Sequence, residues 1–182
     1  MPTYNSPMNS DTITTARLNI VPFQQEHITQ KYIDWLNNKQ LMRYSQQRHQ
    51  LHSVETCSEY VKSFDHETSF LWAILYAADN NQHIGNVSAY LDTKNSVCDL
   101  GLLIGNPNLQ GIGIGYEAWA SCIEYFQVKK AVRKITGGCM AKNSAMLSIM
   151  KKSGMQDDGI RKQQFRLDGD FVDAIHMAIF LT

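Results

Sequence analysis

NPNLQGIGIGYEAW, residues 106–119, carries three glycines within five positions: Gly111, Gly113 and Gly115. An apolar run precedes the glycines, and an apolar pattern with helical spacing follows them. Because glycine has no Cβ, the backbone here can approach a ligand closely. Amides at the start of a helix, together with the helix dipole, favour an anion. The stretch therefore predicts a phosphate-binding loop between a strand and a helix, although the spacing alone also fits a plain tight turn.

Two familiar phosphate loops do not match this stretch. A dinucleotide-binding fingerprint has the spacing G-x-G-x-x-G and follows an opening strand, whereas this chain has G-x-G-x-G after several predicted strands. A Walker loop needs Gly-Lys followed by Ser or Thr, and the stretch has no such tripeptide. Neither a Rossmann domain nor a P-loop NTPase is therefore indicated.

The rest of the chain predicts an α/β fold with the element order β α α β β β α β α β β. The strands are expected at residues 16–23, 70–77, 83–92, 97–105, 132–141, 160–167 and 171–181. The helices are expected at 25–38, at 54–64, after the glycines with an end near residue 129, and at 144–154. Three consecutive strands precede the glycines and predict an antiparallel meander. Asp168-Gly169 predicts a two-residue hairpin turn between the final two strands.

Length and charge narrow the possible functions. A chain of 182 residues favours one domain, which we expect at residues 15–182 after a flexible polar tail at residues 1–14. Lys plus Arg and Asp plus Glu both number 17, and this balance counts against a nucleic-acid partner. No apolar run approaches the ~20 residues that span a membrane, and residues 1–15 lack the pattern of a signal peptide. We therefore expect a cytoplasmic protein with no membrane partner.

The cysteines predict neither a metal site nor a nucleophile. They are Cys57, Cys98, Cys122 and Cys139, without C-x-x-C spacing or a histidine at a zinc-like interval. We interpret them as reduced and mostly buried thiols.

Several segments together indicate a family. The pattern Gln110-x-x-Gly113-x-Gly115 resembles the (Arg/Gln)-x-x-Gly-x-(Gly/Ala) loop of the GNAT superfamily of acetyl-CoA-dependent N-acetyltransferases. KNSAMLSIMKKSGM at 142–155 is similar to a later segment of that family. The opening and the closing hairpin resemble the branch that includes ribosomal-protein alanine and spermidine acetyltransferases, so the likeness covers residues 15–181. It implies one domain with a mixed, mostly antiparallel sheet, flanked by helices and splayed between the fourth and fifth predicted strands.

The resemblance also implies a coenzyme site for acetyl-CoA. The pyrophosphate would be held by the loop residues Gln110, Gly111, Ile112, Gly113, Ile114 and Gly115. The pantetheine would pair with the strand backbone at Leu103, Ile104 and Gly105. Asn143 would contact the coenzyme through its amide, although the same residue also fits a plain helix cap.

Family chemistry is direct attack of an amine on the thioester, which needs no enzyme nucleophile. Asp99 stands where many relatives carry an acidic residue near the acceptor, so it could take the amine proton, relay it through water or orient the ammonium. Where relatives have a Tyr or Ser that protonates the thiolate, this chain has Met150 and Met146, which cannot donate a proton. Ser144 and Ser148 are nearby, but nothing in the sequence favours either one.

The acceptor wall is expected in the loop at residues 44–53. Tyr44, Arg48 and His49 form a polar and aromatic group there, and Arg48 could bind a phosphate or carboxylate. An ordinary solvated loop is the alternative. We interpret His176 as a satisfied strand histidine and Glu117 as a residue that stabilises a helix start.

These patterns predict an acetyltransferase that acts on a primary amine. A small molecule such as an amino sugar ranks slightly above a protein N-terminus as the acceptor. A coenzyme A-binding module without turnover is the remaining alternative. We expect a monomer or a homodimer.

Overall fold

The computed structural model describes residues 12–181. The predicted element order is confirmed, with one additional short strand at the start. The strands are β1 (Ile13–Thr14), β2 (Leu18–Pro22), β3 (Ser69–Tyr76), β4 (Gln82–Asp92), β5 (Val97–Ile104), β6 (Lys134–Met140), β7 (Gln156–Leu167) and β8 (Asp170–Phe180). The helices are α1 (Gln30–Asn37), α2 (Val54–Lys62), α3 (Ile114–Lys130) and α4 (Ser144–Lys152).

The start of the chain differs from the sequence expectation in two details. Residues 1–11 of the expected tail lie outside the described residues, while Ile13–Thr14 pair with Asn19 and Ile20 of β2. The first helix, expected at 25–38, begins only at Gln30, after a separate 3-10 turn at Gln25–His27. Thr29 separates the two because its side chain accepts the Tyr32 amide and so caps the start of α1.

The strands form one eight-stranded sheet in the order β1-β2-β3-β4-β5-β6-β8-β7. Every neighbouring pair is antiparallel except β5 and β6, which run parallel. Their pairing ends at Leu100–Gly137, although β5 continues to Ile104 and β6 to Met140. This confirms the expected splay, because β5 and β6 are the fourth and fifth strands that the sequence predicted.

Helices cover both faces of the sheet. The face that packs against α3 and α4, here called the α3 side, buries Trp119, Ile114 and Met150. The opposite face, here called the α1 side, packs Leu71 and Ala73 against α1 and α2. Because side chains alternate along a strand, Cys98 and Leu100 point to the α3 side, and their neighbours point to the α1 side.

The final hairpin forms as its sequence predicts. Asp168 and Gly169 join β7 to β8 with φ values of +52° and +91°. Two consecutive positive φ values match the tight hairpin turn that twisted strands favour. This turn places β8 between β6 and β7, so that β7 is the edge strand of the sheet.

Candidate active site

The glycine loop leads from β5 into α3, and its glycines have different roles. Gly111 and Gly113 have φ values of +79° and +86°, which other residues rarely adopt. Gly115 instead provides space, because a Cβ there would lie 3.0 Å from Ile149 of α4. Gly113 stands immediately before α3 and supplies no side-chain cap. The first amides of α3 therefore keep free N–H groups beside the positive end of the helix dipole.

A network from the start of the chain holds this loop. The Arg17 guanidinium donates through Nε to Glu117 at 2.6 Å and through Nη1 to the Ile112 carbonyl at 3.1 Å. Thr15 also donates to Glu117, at 2.6 Å. Burial alone would raise the pKa of Glu117, but the hydrogen bonds from Thr15 and Arg17 outweigh it and lower the pKa below its usual value. Glu117 thus fixes the first turn of α3, whereas no sequence signal pointed to Arg17.

The expected pantetheine strand has an open edge. Leu103 and Ile104 pair with β4 on one side, opposite Asn86 and Gly85. On the other side, β6 pairs only as far as Leu100. The Gly105 amide turns back to the Ile84 carbonyl at 2.8 Å. A backbone edge is therefore available at the splay for the predicted contact with coenzyme, which stays a prediction.

Asn143 is the cap of α4. Its side-chain oxygen accepts the Met146 amide at 3.2 Å. This contact satisfies one of the free amides at the helix start. Its Nδ2 group is not part of that bond, so the predicted coenzyme contact is compatible with the cap.

Asp99 lines an open cleft of about 340 Å³ on the α1 side of the splay. One carboxylate oxygen accepts the Thr136 hydroxyl at 2.5 Å. The surrounding chain raises the pKa of Asp99 through partial loss of hydration, while the Thr136 hydrogen bond and the positive charge of His176 act against that rise. The carboxylate still contacts solvent, so it can meet a charged group that enters the cleft. The other side chains around the cleft include Tyr44, Gln46, Arg161, Gln164, Phe165 and His176.

The predicted acceptor group is only partly brought together. Tyr44 lines the cleft beside Asp99. Arg48 donates to the backbone carbonyls of Ser45 at 2.6 Å and Arg166 at 3.0 Å, and so ties its loop to β7. His49 lies in a short 3-10 turn and lines neither this cleft nor the next one. The roles of Arg48 and His49 toward an acceptor remain predictions.

A second cleft of about 420 Å³ meets the first at Gly101. Its walls come from α1, α2, β4 and β5, with Tyr32, Tyr60, Asn86 and Ser88 among the lining residues. The Asn86 side-chain oxygen is buried and has no hydrogen-bond partner among the described residues. No local sequence pattern predicts this cleft, because its residues are scattered over about 70 positions of the chain.

The α4 positions at which the resemblance implies a proton donor carry Met150 and Met146. Met150 is fully buried against Gly137 and Trp119, and Met146 packs at the edge of the same core. Burial raises the pKa of Cys139, which also borders the first cleft, to about 11. A source of the thiolate proton must therefore be found elsewhere in the clefts or in solvent.

Residues 12–181 contain neither a cluster of metal-ligating side chains nor a membrane-spanning helix. Within that range, no group of three or more His, Cys, Asp or Glu residues is arranged to hold a metal ion. Over the same residues, no helix is both long and apolar enough to cross a bilayer.

The family model described as "Acetyltransferase (GNAT) domain" matches residues 17–156. The chain therefore belongs to this family of acetyltransferase domains. The matched residues include β5, the glycine loop, α3 and β6, which form the splay.

Individual relatives are more distant. The [Ribosomal protein uS5]-alanine N-acetyltransferase of Escherichia coli (strain K12) is 26% identical over 121 residues, which cover 65% of this chain and 62% of that protein. The chain thus matches less than two thirds of the length of this curated relative. A ribosomal L7/L12 alpha-N-protein acetyltransferase in complex with coenzyme A has a TM-score of 0.83 at 17% identity, covering 94% of this chain and 98% of its own. The Vibrio cholerae spermidine N-acetyltransferase in complex with coenzyme A and spermine has a TM-score of 0.79 at 16% identity, with coverages of 91% and 96%. These structural likenesses establish the fold.

Proposed function

We propose that the protein transfers the acetyl group of acetyl-CoA to a primary amine by direct attack. The observation that carries this proposal is the splay, where the open edge of β5 meets the cleft that contains Asp99. The loop at residues 110–115 and the start of α3 offer amides for the pyrophosphate. Asn143 adds a side-chain contact to the coenzyme.

Asp99 receives the acceptor in this proposal. An amine of ordinary basicity arrives as an ammonium at neutral pH, and the carboxylate is the negative group that meets it in the cleft. Thr136 holds one carboxylate oxygen in place. The acetyl group would reach the same point along the open edge of β5, so that the nitrogen and the thioester carbon meet at the splay.

A small-molecule amine that also carries an anionic group is our first choice of acceptor. Arg161 lines the same cleft as Asp99, and within residues 12–181 it forms no ion pair. An amino sugar phosphate could place its ammonium at Asp99 and its phosphate at this guanidinium. A polyamine, which has several positive charges and no negative one, suits this wall less well.

A protein N-terminus is the second candidate. Its support is the named acceptor of the uS5-alanine relative, together with the open shape of both clefts, which leaves room for a peptide. A coenzyme-binding module without turnover is the third candidate, and its support is that Met150 and Met146 of α4 cannot donate a proton.

Incubation with acetyl-CoA and a panel of amines tests these proposals. The panel contains glucosamine 1-phosphate, glucosamine, spermidine and a peptide that begins with alanine. Release of coenzyme A thiol is followed by absorbance, and the products are identified by mass spectrometry. Acetylated glucosamine 1-phosphate formed faster than acetylated glucosamine supports the first choice, and Arg161→Gln should remove that preference. Thiol release only with the peptide would favour the protein N-terminus, and no release with any amine would contradict the acetyltransferase proposal.

A further inference from the structure

His176 leans across the sheet toward the splay. It lies on β8 directly opposite Gly138 of β6. A Cβ on Gly138 would be 3.1 Å from His176 Nδ1 and 3.2 Å from its Cε1. The ring therefore occupies the space that this glycine leaves free.

Asp99 approaches the same space from the other strand. It pairs with Thr136 of β6, two residues before Gly138, so all three lie on one face of the sheet. The strands separate immediately afterwards, at Leu100–Gly137. His176 and Asp99 line one cleft. The electrostatic interaction with His176 lowers the pKa of Asp99, against the larger effect of burial. His176 Nε2 is buried without a hydrogen-bond partner in residues 12–181, so this nitrogen makes no structural hydrogen bond there.

We propose that His176 is the catalytic base that removes the proton of the acceptor amine, while Asp99 holds the ammonium. This inference rests on the proposed acetyl transfer. With the ring proton on Nε2, Nδ1 has a lone pair toward the space above Gly138. Histidine suits the step because its side chain changes charge near neutral pH, whereas an aspartate is a much weaker base toward an amine.

The cleft around the imidazole is lined by both acidic and basic side chains. Asp99 of β5 and Arg161 of β7, which carry opposite charges, line the same cleft as the ring. Tyr44 from the loop and Cys139 of β6 complete the ionisable groups around the cleft. The carboxylate thus stabilises the imidazolium that forms when the amine loses its proton.

In this proposal, His176 takes one proton from the ammonium and later returns it to the leaving thiolate. The ammonium gives a proton to His176 Nδ1, and the free amine nitrogen forms a bond to the thioester carbon. The tetrahedral intermediate loses a second amine proton to water. When the carbon–sulfur bond breaks, the coenzyme thiolate takes the proton from His176. The same imidazole thereby supplies the acid that Met146 and Met150 cannot provide.

The test compares His176→Gln and His176→Ala with the wild type. The acceptor is whichever amine of the panel above gives the fastest turnover, and kcat/KM is measured from pH 5.5 to 9.5. A positioned base contributes ~10²–10⁴-fold, so His176→Gln should lose about 10²-fold at pH 7, and the loss should narrow as pH rises. Added imidazole should restore part of the activity of His176→Ala, while the calorimetric affinity for coenzyme A stays near wild type. His66→Asn, in the turn before β3, is the matched histidine control.

The outcomes separate this inference from the proposed function. A wild-type pH profile in His176→Gln would overturn the role of His176 and leave acetyl transfer intact. An equal loss at every pH, without rescue by imidazole, would assign His176 a structural role and also overturn the inference. Absence of turnover in the wild type with every amine would remove the proposed function and this inference with it.

Discussion

The two sides of the splay are built from different parts of the chain. On the α3 side, one continuous segment at residues 110–115, which runs into the first turn of α3, presents backbone amides, and glycines determine its shape. On the α1 side, the clefts collect side chains from α1, α2, the loop at 44–53 and strands β4 to β8. A site made from backbone depends on local conformation, whereas a site made from side chains depends on the whole sheet. Substitutions on the α3 side should therefore change coenzyme affinity, whereas substitutions on the α1 side should change the reaction with the acceptor.

The largest effect is expected at Asp99. Asp99→Asn should lower kcat/KM by ~10–10³-fold near neutral pH, because the ammonium loses its charged partner. Part of the loss should return at higher pH as more of the acceptor becomes free base. Coenzyme A affinity, measured by calorimetry, should change little, since the carboxylate lies on the α1 side.

Asp79→Asn, in the exposed turn before β4, is a matched control for the loss of one carboxylate. If Asp99→Asn keeps wild-type kcat/KM from pH 6 to 9, Asp99 is only a solvated strand residue.

The next effect is on the pH dependence of stability, and it arises in the α1-side layer. Burial, followed by the nearby His27, lowers the pKa of His83 to about 4. The unfolded chain therefore binds more protons than the folded chain between pH 6.5 and 4. The free energy of unfolding falls by on the order of 3 kcal/mol as pH falls through that window. His83→Phe should flatten this part of the dependence, although it also loses the 2.8 Å hydrogen bond from His83 to the Gly85 carbonyl.

Urea unfolding at several pH values measures how steeply the free energy of unfolding changes with pH. His27 also has a lowered pKa, so a smaller dependence should remain in the variant. A slope that is unchanged in His83→Phe would show that His83 does not stay neutral in the folded protein.

The glycine loop tests the α3 side. Gly113→Val should reduce coenzyme A affinity by at least about tenfold, or about 1.4 kcal/mol. A branched side chain would stand where the pyrophosphate approaches, and the positive φ adds strain of ~1–2 kcal/mol. Calorimetry with coenzyme A gives the affinity, and thermal unfolding without ligand gives the strain.

Gly159→Val separates the two contributions. Gly159 has a φ of +141°, and its added Cβ would contact nothing within 4 Å. The Gly159→Val variant should have a lower thermal stability than the wild type and an unchanged affinity for coenzyme A. Equal coenzyme affinity in Gly113→Val and the wild type would remove the phosphate-loop interpretation.

The smallest effect is expected at Arg48. Arg48→Ala removes the bonds to Ser45 and Arg166 and so loosens the loop beside Tyr44. The acceptor KM should rise several-fold, since two hydrogen bonds at a partly exposed site contribute ~1 kcal/mol net, and coenzyme affinity should stay near wild type. Steady-state kinetics with varied acceptor provide the measurement. Reduced coenzyme affinity with an unchanged acceptor KM would place this loop on the wrong side of the sheet.

Local patterns made much of the fold predictable from sequence. Helix caps, the Asp168-Gly169 turn and alternation along strands are read within a few residues, and the structure follows them. The glycine loop was also visible, because its shape is set by neighbouring residues. The boundary between the 3-10 turn and α1 was missed, because the periodic apolar positions continue across Thr29.

Side-chain clusters could not be read in the same way. His176 looked like an ordinary strand residue, since only the register between β6 and β8 places its ring over Gly138. Arg17 lies about 100 positions from Glu117, and nothing local links them. Such contacts follow from strand order, which alternation alone does not determine.

The strand order also sets a sequence of events for a chain emerging from the ribosome. When β7 has been made, β6 still lacks one neighbour, because β8 must enter between them. The cleft beside Asp99 then has no His176 wall, while β5, the glycine loop and α3 have already been synthesised. The coenzyme half of the site can therefore form before the acceptor half, and β6 and β7 both present open edges in the meantime. Insertion of Asp170–Phe180 pairs β8 with both strands and brings His176 to the cleft.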